Sequence, residues 1–214
     1  MKKNSKKAAR RKPQAAKRKA RNVELIDKAV QILRKGGVIV YPTETVYGLG
    51  ADIKNKKAIE IIYAIKGREK TKALSIACLK EDIEKYAEVN DLARILIDNF
   101  LPGPITLVLK KKRTVSNWIT KSKYVGIRVP DNETAQKIIR KFGRAIVSTS
   151  ANISGRKDPT STKAVAKSIK KKVDLVIDEG ETKYKQSSTV VQVNGKVKVL
   201  RHGVIEIWEH GRVC

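Results

Sequence analysis

The sequence predicts an α/β domain built on an open mixed sheet with flanking helices, and three observations carry that prediction. Strand-like apolar runs alternate with segments of helical period over the first two thirds of the chain, and several short strand-like runs then cluster towards its end. Hydrophobic residues make up 41% of the 214, enough to bury a real core. At about 150 residues per domain, this length suggests one sizeable domain with an appendage.

Asn22 caps a helix whose positions Val23, Ile26, Ala29, Val30 and Leu33 share a face, and Gly36-Gly37 stops it. Val38 to Tyr41 reads as a buried strand ending at Pro42. A second helix runs through Ile59, Ile62 and Ile65 to Gly67, and Leu74 to Cys78 is the next strand. Asp91 to Phe100 is helical and stops before Pro102-Gly103-Pro104, after which Ile105 to Leu109 is strand-like. Lys110 to Lys123 is a basic excursion leading to the strand Val125 to Val129. Pro130-Asp131 opens a helix through Ala135, Ile138, Ile139 and Phe142, and Ala145 to Thr149 returns to the sheet. Thr160 to Lys172 is expected to be helical, with Leu175 to Ile177, Thr189 to Val191 and Val197 to Leu200 as late strands. The expected organisation is an arm over 1–21, a domain over 22–210 and a tail over 211–214.

The charge is strongly basic: 48 Lys and Arg against 21 Asp and Glu give +27. Eleven of the basic residues lie in residues 1–23 with no acid among them, which leaves +16 for the other 191. Such a block repels itself and has little to bury, so it reads as a disordered or transiently helical arm, serving either as a solubilising tail or as an RNA contact. A surplus of this size attracts polyanions, whether nucleic acid, ATP or pyrophosphate. Aromatics are only 5% of the chain and mark no base-stacking platform along the arm.

Several classes are disfavoured. No segment approaches the roughly 18 apolar residues of a membrane span, and the start lacks the apolar stretch of a secretory signal, so a cytoplasmic, membrane-free protein is expected. Cys78 and Cys214 make neither a disulfide framework nor a zinc site. The phosphate-loop and dinucleotide fingerprints are missing, and with only His202 and His210 present a Ser-His-Asp triad is improbable. An enzyme of this sequence must work by positioning and electrostatics.

Five places could carry that work. Tyr41 to Gly50, rich in hydroxyls and glycines, follows a strand, and open α/β sheets bind ligands beyond strand ends; a tight polar turn is the structural alternative. Lys66-Gly67-Arg68 follows the second helix, where an extended chain would point both cations at one anion. Ser150-Ala151-Asn152 offers a hydroxyl and a carboxamide at another strand end. Arg128 and Arg201 lie in or beside strands, where an unpaired charge is costly, so each either emerges at a sheet edge or meets an anion.

Taken in order, Pro42-Thr43-Glu44-Thr45-Val46-Tyr47-Gly48-Leu49, Lys66-Gly67-Arg68, Pro102-Gly103-Pro104 before Thr106, Arg128-Val129-Pro130, Ser150-Ala151-Asn152 with Ser154-Gly155, Ser188-Thr189-Val190-Val191 and Leu200-Arg201-His202-Gly203 resemble the YrdC-type threonylcarbamoyl-AMP synthase family. The resemblance implies a twisted sheet around a large basic cavity. It also implies a nucleotidyltransferase reaction in which L-threonine, bicarbonate and ATP give threonylcarbamoyl-AMP and pyrophosphate. A downstream transferase would then pass the threonylcarbamoyl group to the tRNA adenosine next to the anticodon. Carried over by position, Thr43, Arg128, Ser150 and Ser188 would hold threonine, with Arg128 on its carboxylate. Lys66, Arg68, Asn152, Thr160 and Arg201 would hold ATP, with Lys66 and Arg68 as the catalytic cations. Mg2+ would accompany ATP, with no metal ligands of the protein's own and no tightly bound cofactor. Where relatives often carry an Asn and a strand His after the Lys-x-Arg pair, Lys72 and Ala77 stand here. That departure keeps open a divergent enzyme with another substrate, and the charge keeps open an RNA-binding module without this catalysis.

Overall fold

The computed structural model describes residues 22–207. The arm over 1–21, His210, Cys214 and the tail over 211–214 lie outside the described residues. The helices are α1 (22–34), α2 (Lys56–Lys66), α3 (Ile83–Tyr86), α4 (Asp91–Phe100), α5 (Glu133–Phe142) and α6 (Lys167–Lys170). The strands are β1 (Ile39–Tyr41), β2 (Gly48–Gly50), β3 (Ser75–Ala77), β4 (Ile105–Lys110), β5 (Tyr124–Arg128), β6 (Ile146–Ser150), β7 (Leu175–Val176), β8 (Thr189–Val193) and β9 (Val197–Arg201).

The strands form one mixed sheet in the order β7-β1-β2-β6-β3-β5-β4-β8-β9. Parallel pairs join β1 to β7, β3 to β5 and β4 to β8, and the other neighbours are antiparallel. Alternation along the strands feeds two cores. Val40, Ile76 and Val147 face the side covered by α2 and α4, whereas Ile39, Ala77 and Ile146 face the side covered by α1 and α5. Helices therefore cover both faces, as the sequence predicts.

Local chemistry sets the helix ends. Asn55, Asn90 and Asn132 each accept a backbone N–H three residues on, capping α2, α4 and α5. Gly67 and Gly143 end α2 and α5 in the left-handed region at φ 55° and 84°.

Two expectations need correction. The helix expected over Thr160 to Lys172 is a 3-10 turn at Thr162–Ala164 followed by the four-residue α6. Val165 and Ala166, at ψ 123° and 140°, interrupt it. A segment that opens on three hydroxyl residues and carries five lysines has little reason to stay helical. The hydroxyl- and glycine-rich segment after β1 contains β2, a three-residue strand pairing with β1 and β6. Its Gly48 and Gly50 lie against the Tyr41 ring, where a Cβ would come within 3.1 Å of it.

Candidate active site

A cavity of about 180 Å³ opens where chain segments far apart in sequence converge, and Thr43, Arg68, Arg128, Ser150, Ser188 and Arg201 all line it. Thr43 leaves β1, Arg68 follows α2, Arg128 and Ser150 end β5 and β6, and Ser188 and Arg201 flank the β8–β9 hairpin. Ser75 and Gly126 pair across β3 and β5. A Cβ on Gly126 would lie 2.4 Å from Ser75 Oγ, and Ser75 lines the cavity.

Thr43 serves both the cavity and the turn. Its Oγ1 donates to the Val46 carbonyl at 2.6 Å and accepts from the Thr45 and Val46 amides, each at 3.2 Å. The tight-turn and ligand-facing readings of this segment are thus compatible. Ser188 Oγ pairs with Thr106 Oγ1 at 2.8 Å, so the hydroxyl of Thr106 reaches the same wall.

Three guanidiniums dominate the electrostatics, each pinned by the protein. Arg68 donates to the carbonyls of Lys72 and Ala73, at 3.3 and 2.8 Å. Arg201 donates through Nε and Nη2 to the Ser188 carbonyl, at 3.2 and 2.9 Å, and through Nη2 to Ser188 Oγ at 3.2 Å. Burial lowers the Arg201 pKa from its ordinary value. Arg128 resolves the sequence alternative in favour of an anion, and the anion is internal: its Nη2 meets Glu44 Oε1 at 2.6 Å, with both side chains buried. The other oxygen of Glu44 is buried without a partner among the described residues. These bonds use Nε and Nη2 of Arg68 and Arg201 and Nη2 of Arg128, and none takes up Nη1.

Lys66 and Asn152 are placed differently from expectation. Gly67 turns left-handed, so Lys66 and Arg68 are not an extended pair aimed at one anion. Lys66 is buried and does not line the cavity. Its ammonium donates to the carbonyls of Ser150 and Asn152 at 2.6 and 2.9 Å and to Asn152 Oδ1 at 2.9 Å. Burial and the neighbouring Arg68 charge lower its pKa to about 8. The Asn152 carboxamide is likewise occupied: Oδ1 also accepts from Ser150 Oγ at 2.8 Å, and Nδ2 donates to the Arg156 carbonyl and to Asp158 Oδ1 at 2.5 and 2.8 Å. Both residues form a frame behind the wall. Thr160 is also absent from the lining; its carbonyl accepts the Thr182 amide at 2.8 Å.

Sequence reasoning missed Asp158, which contributes the single carboxylate of the lining. It holds Asn152 through Oδ1 and accepts from Ser187 Oγ through Oδ2, tying the loop after β6 to the segment before β8. No motif spacing marks it, because its partners Asn152 and Ser187 meet only in the folded chain. Among the described residues no group of three or more His, Cys, Asp and Glu side chains is arranged to hold a metal ion. None of their helices is long and apolar enough to cross a membrane.

An open α/β sheet whose strand ends enclose a cavity lined with guanidiniums and hydroxyls is the class of architecture the chain presents. The chain belongs to the Sua5/YciO/YrdC family, whose model, described as "Telomere recombination", matches residues 31–203. A Methanocaldococcus jannaschii protein is 43% identical over 198 residues, which are 89% of this chain and 93% of that one. The threonylcarbamoyl-AMP synthase of Pyrococcus abyssi is 40% identical over 168 residues, and this chain spans 49% of its length. The P. abyssi Sua5 structure complexed with L-threonine superposes with a TM-score of 0.80 at 39% identity, covering 83% of this chain and 54% of that one. Escherichia coli YciO superposes with a TM-score of 0.77 at 34% identity over 85% of this chain and 90% of that chain.

Proposed function

We propose that this chain is an L-threonylcarbamoyladenylate synthase. The observation that carries the reading is the convergence of Arg68, Arg128 and Arg201 with Thr43, Ser150 and Ser188 on one cavity, in a chain 39% identical to a protein whose structure contains L-threonine. Threonine is held through its carboxylate by the free edge of Arg128 and through its hydroxyl by Thr43, Ser150 or Ser188. The triphosphate lies against Arg68 and Arg201. The cavity is smaller than the roughly 300–1,000 Å³ of a drug-sized site, so it encloses the reacting groups while adenosine extends to the mouth.

The threonine amine and bicarbonate condense to a carbamate with loss of water. A carbamate oxygen then attacks the α-phosphorus, an O–P bond forms as the bond to the β-phosphate oxygen breaks, and pyrophosphate leaves. No covalent enzyme intermediate is required. Holding three anionic partners together removes the entropic cost of their meeting, and the guanidiniums offset their mutual repulsion and the charge developing on phosphorus. Lys66 and Asn152 act by holding the Ser150 end of β6 in place. Mg2+ enters with ATP, and the adenylate passes to a transferase that modifies tRNA beside the anticodon. Incubation with ATP, L-threonine and labelled bicarbonate yields a labelled adenylate; no label above a threonine-free control refutes the reading.

A second reading, a related enzyme with another amino-acid substrate, is favoured by Lys72 and Ala77. Arg68 is bonded to the Lys72 carbonyl, and Ala77 pairs with Arg128 across β3 and β5. Comparing thermal shifts with ATP and a panel of amino acids separates the two, since the cognate one raises the melting temperature most.

A further inference from the structure

The basic excursion between β4 and β5 has no part in the cavity. Residues 110–123 contain six Lys and Arg and no acid. One of these cations is structural: Lys111 Nζ donates to Asn117 Oδ1 at 2.7 Å and to the Thr120 carbonyl at 2.8 Å, and partial burial lowers its pKa. Val115 and Ile119 are buried in the core, and the Leu74 amide donates to the Ile119 carbonyl at 2.9 Å. The excursion is therefore clasped from within and anchored from below. Between those anchors it presents Trp118, 45% exposed.

The surroundings of Trp118 are cationic. Lys56 Nζ lies 5.7 Å from the centre of its ring. Lys54, two residues before Lys56, lines a separate groove of about 510 Å³ together with Lys85, Lys112 and Arg144. Glu84, the one acid in that groove, is paired with Arg94, and Lys85 and Arg144 are paired with Asp82 and Asp52, which leaves Lys54 and Lys112 as the groove cations without a salt bridge among the described residues. Lys54, Lys56, Lys112, Arg113, Lys121 and Lys123 make no salt bridge among the described residues. Lys56 and Lys57 stand in the first turn of α2, where cations oppose the helix dipole, so helix stability does not account for them.

A fixed, exposed indole beside unpaired cations matches the chemistry of an RNA strand with unpaired bases: the ring stacks on a base while the lysines neutralise neighbouring phosphates. We infer that Trp118, Lys56 and the Lys54–Lys112 groove form an RNA-binding surface separate from the cavity. An acidic protein segment would use the cations without needing a flat aromatic face.

The test uses the full chain and fluorescence anisotropy with an unpaired oligouridine, an RNA duplex of the same length and a polyglutamate probe. Trp118→Ala is expected to weaken oligouridine binding about tenfold or more, Trp118→Phe to keep most of it, and Lys54→Ala and Lys56→Ala each to reduce the salt slope by about one. Threonine-dependent pyrophosphate release should not change in any of these variants, which separates failure of this surface from failure of the synthase reading. Equal oligouridine affinity in Trp118→Ala and wild type overturns the inference. So does polyglutamate binding as tight as oligouridine binding, or complete loss of RNA binding on deleting residues 1–21 alone.

Discussion

At the residue scale, the cavity depends on charges that the protein itself has already satisfied. Arg128 and Glu44 are buried against each other, and removing one member strands the other in a poorly solvating interior. Glu44→Ala should therefore cost about 3–5 kcal/mol in urea denaturation; a loss below about 1 kcal/mol would mean the pair behaves like an exposed one. Lys66 gives a pH signature. Its folded pKa of about 8 lies below the ordinary lysine value of 10.5, so the folded state binds fewer protons than the unfolded state between those two pH values. Stability relative to Lys66→Met should accordingly rise from pH 8 to 10.5, with the full burial cost present below pH 8. Activity should move the other way, because deprotonation removes one of the three donors that hold Ser150 and Asn152. Parallel stability profiles for the two proteins would show that Lys66 is not the titrating group.

At the element scale, caps and close approaches decide where functional residues fall. Asn90→Ala removes the cap of α4, away from the cavity, and should cost about 1 kcal/mol of stability with unchanged turnover. Gly203 lies against the segment carrying Ser188: a Cβ there would come within 2.3 Å of the Ser187 carbonyl and 2.4 Å of the Ser188 carbonyl carbon. Gly203→Ala should displace that segment and raise KM for threonine, which steady-state kinetics would show; an unchanged KM would mean the segment does not contact substrate. Segments such as α4 and α5 are legible in sequence through their apolar residues and flanking prolines, whereas their Asn90 and Asn132 caps emerge only in the fold. The ends of β5, β6 and β9 were legible as site positions because polar or charged residues interrupt apolar runs there. The helix expected over Thr160 to Lys172 shrinks to a 3-10 turn and the four-residue α6, since lysine-rich polarity carries no period. Lys66 was misplaced because Gly67 reverses the chain. Asp158 was invisible because its role exists only across loops that tertiary packing brings together.

At the scale of the whole molecule, no single motif makes the cavity. β1, β5, β6, β8 and β9 must all be in register for three guanidiniums to face one space, so catalysis should be lost with global unfolding rather than before it. The described domain and the arm share the positive charge, which predicts that RNA affinity falls steeply with salt while threonine affinity in the enclosed cavity falls less. Titrations of both ligands across a salt series check this; equal slopes would place the amino acid at an open surface. The most direct measurement of the central claim is exchange of labelled pyrophosphate into ATP. Exchange is predicted only when L-threonine and bicarbonate are both present, and it should collapse in Arg68→Ala and Arg201→Ala. Exchange that proceeds equally without threonine, or that survives both substitutions, would contradict an account in which one cationic cavity aligns the two substrates.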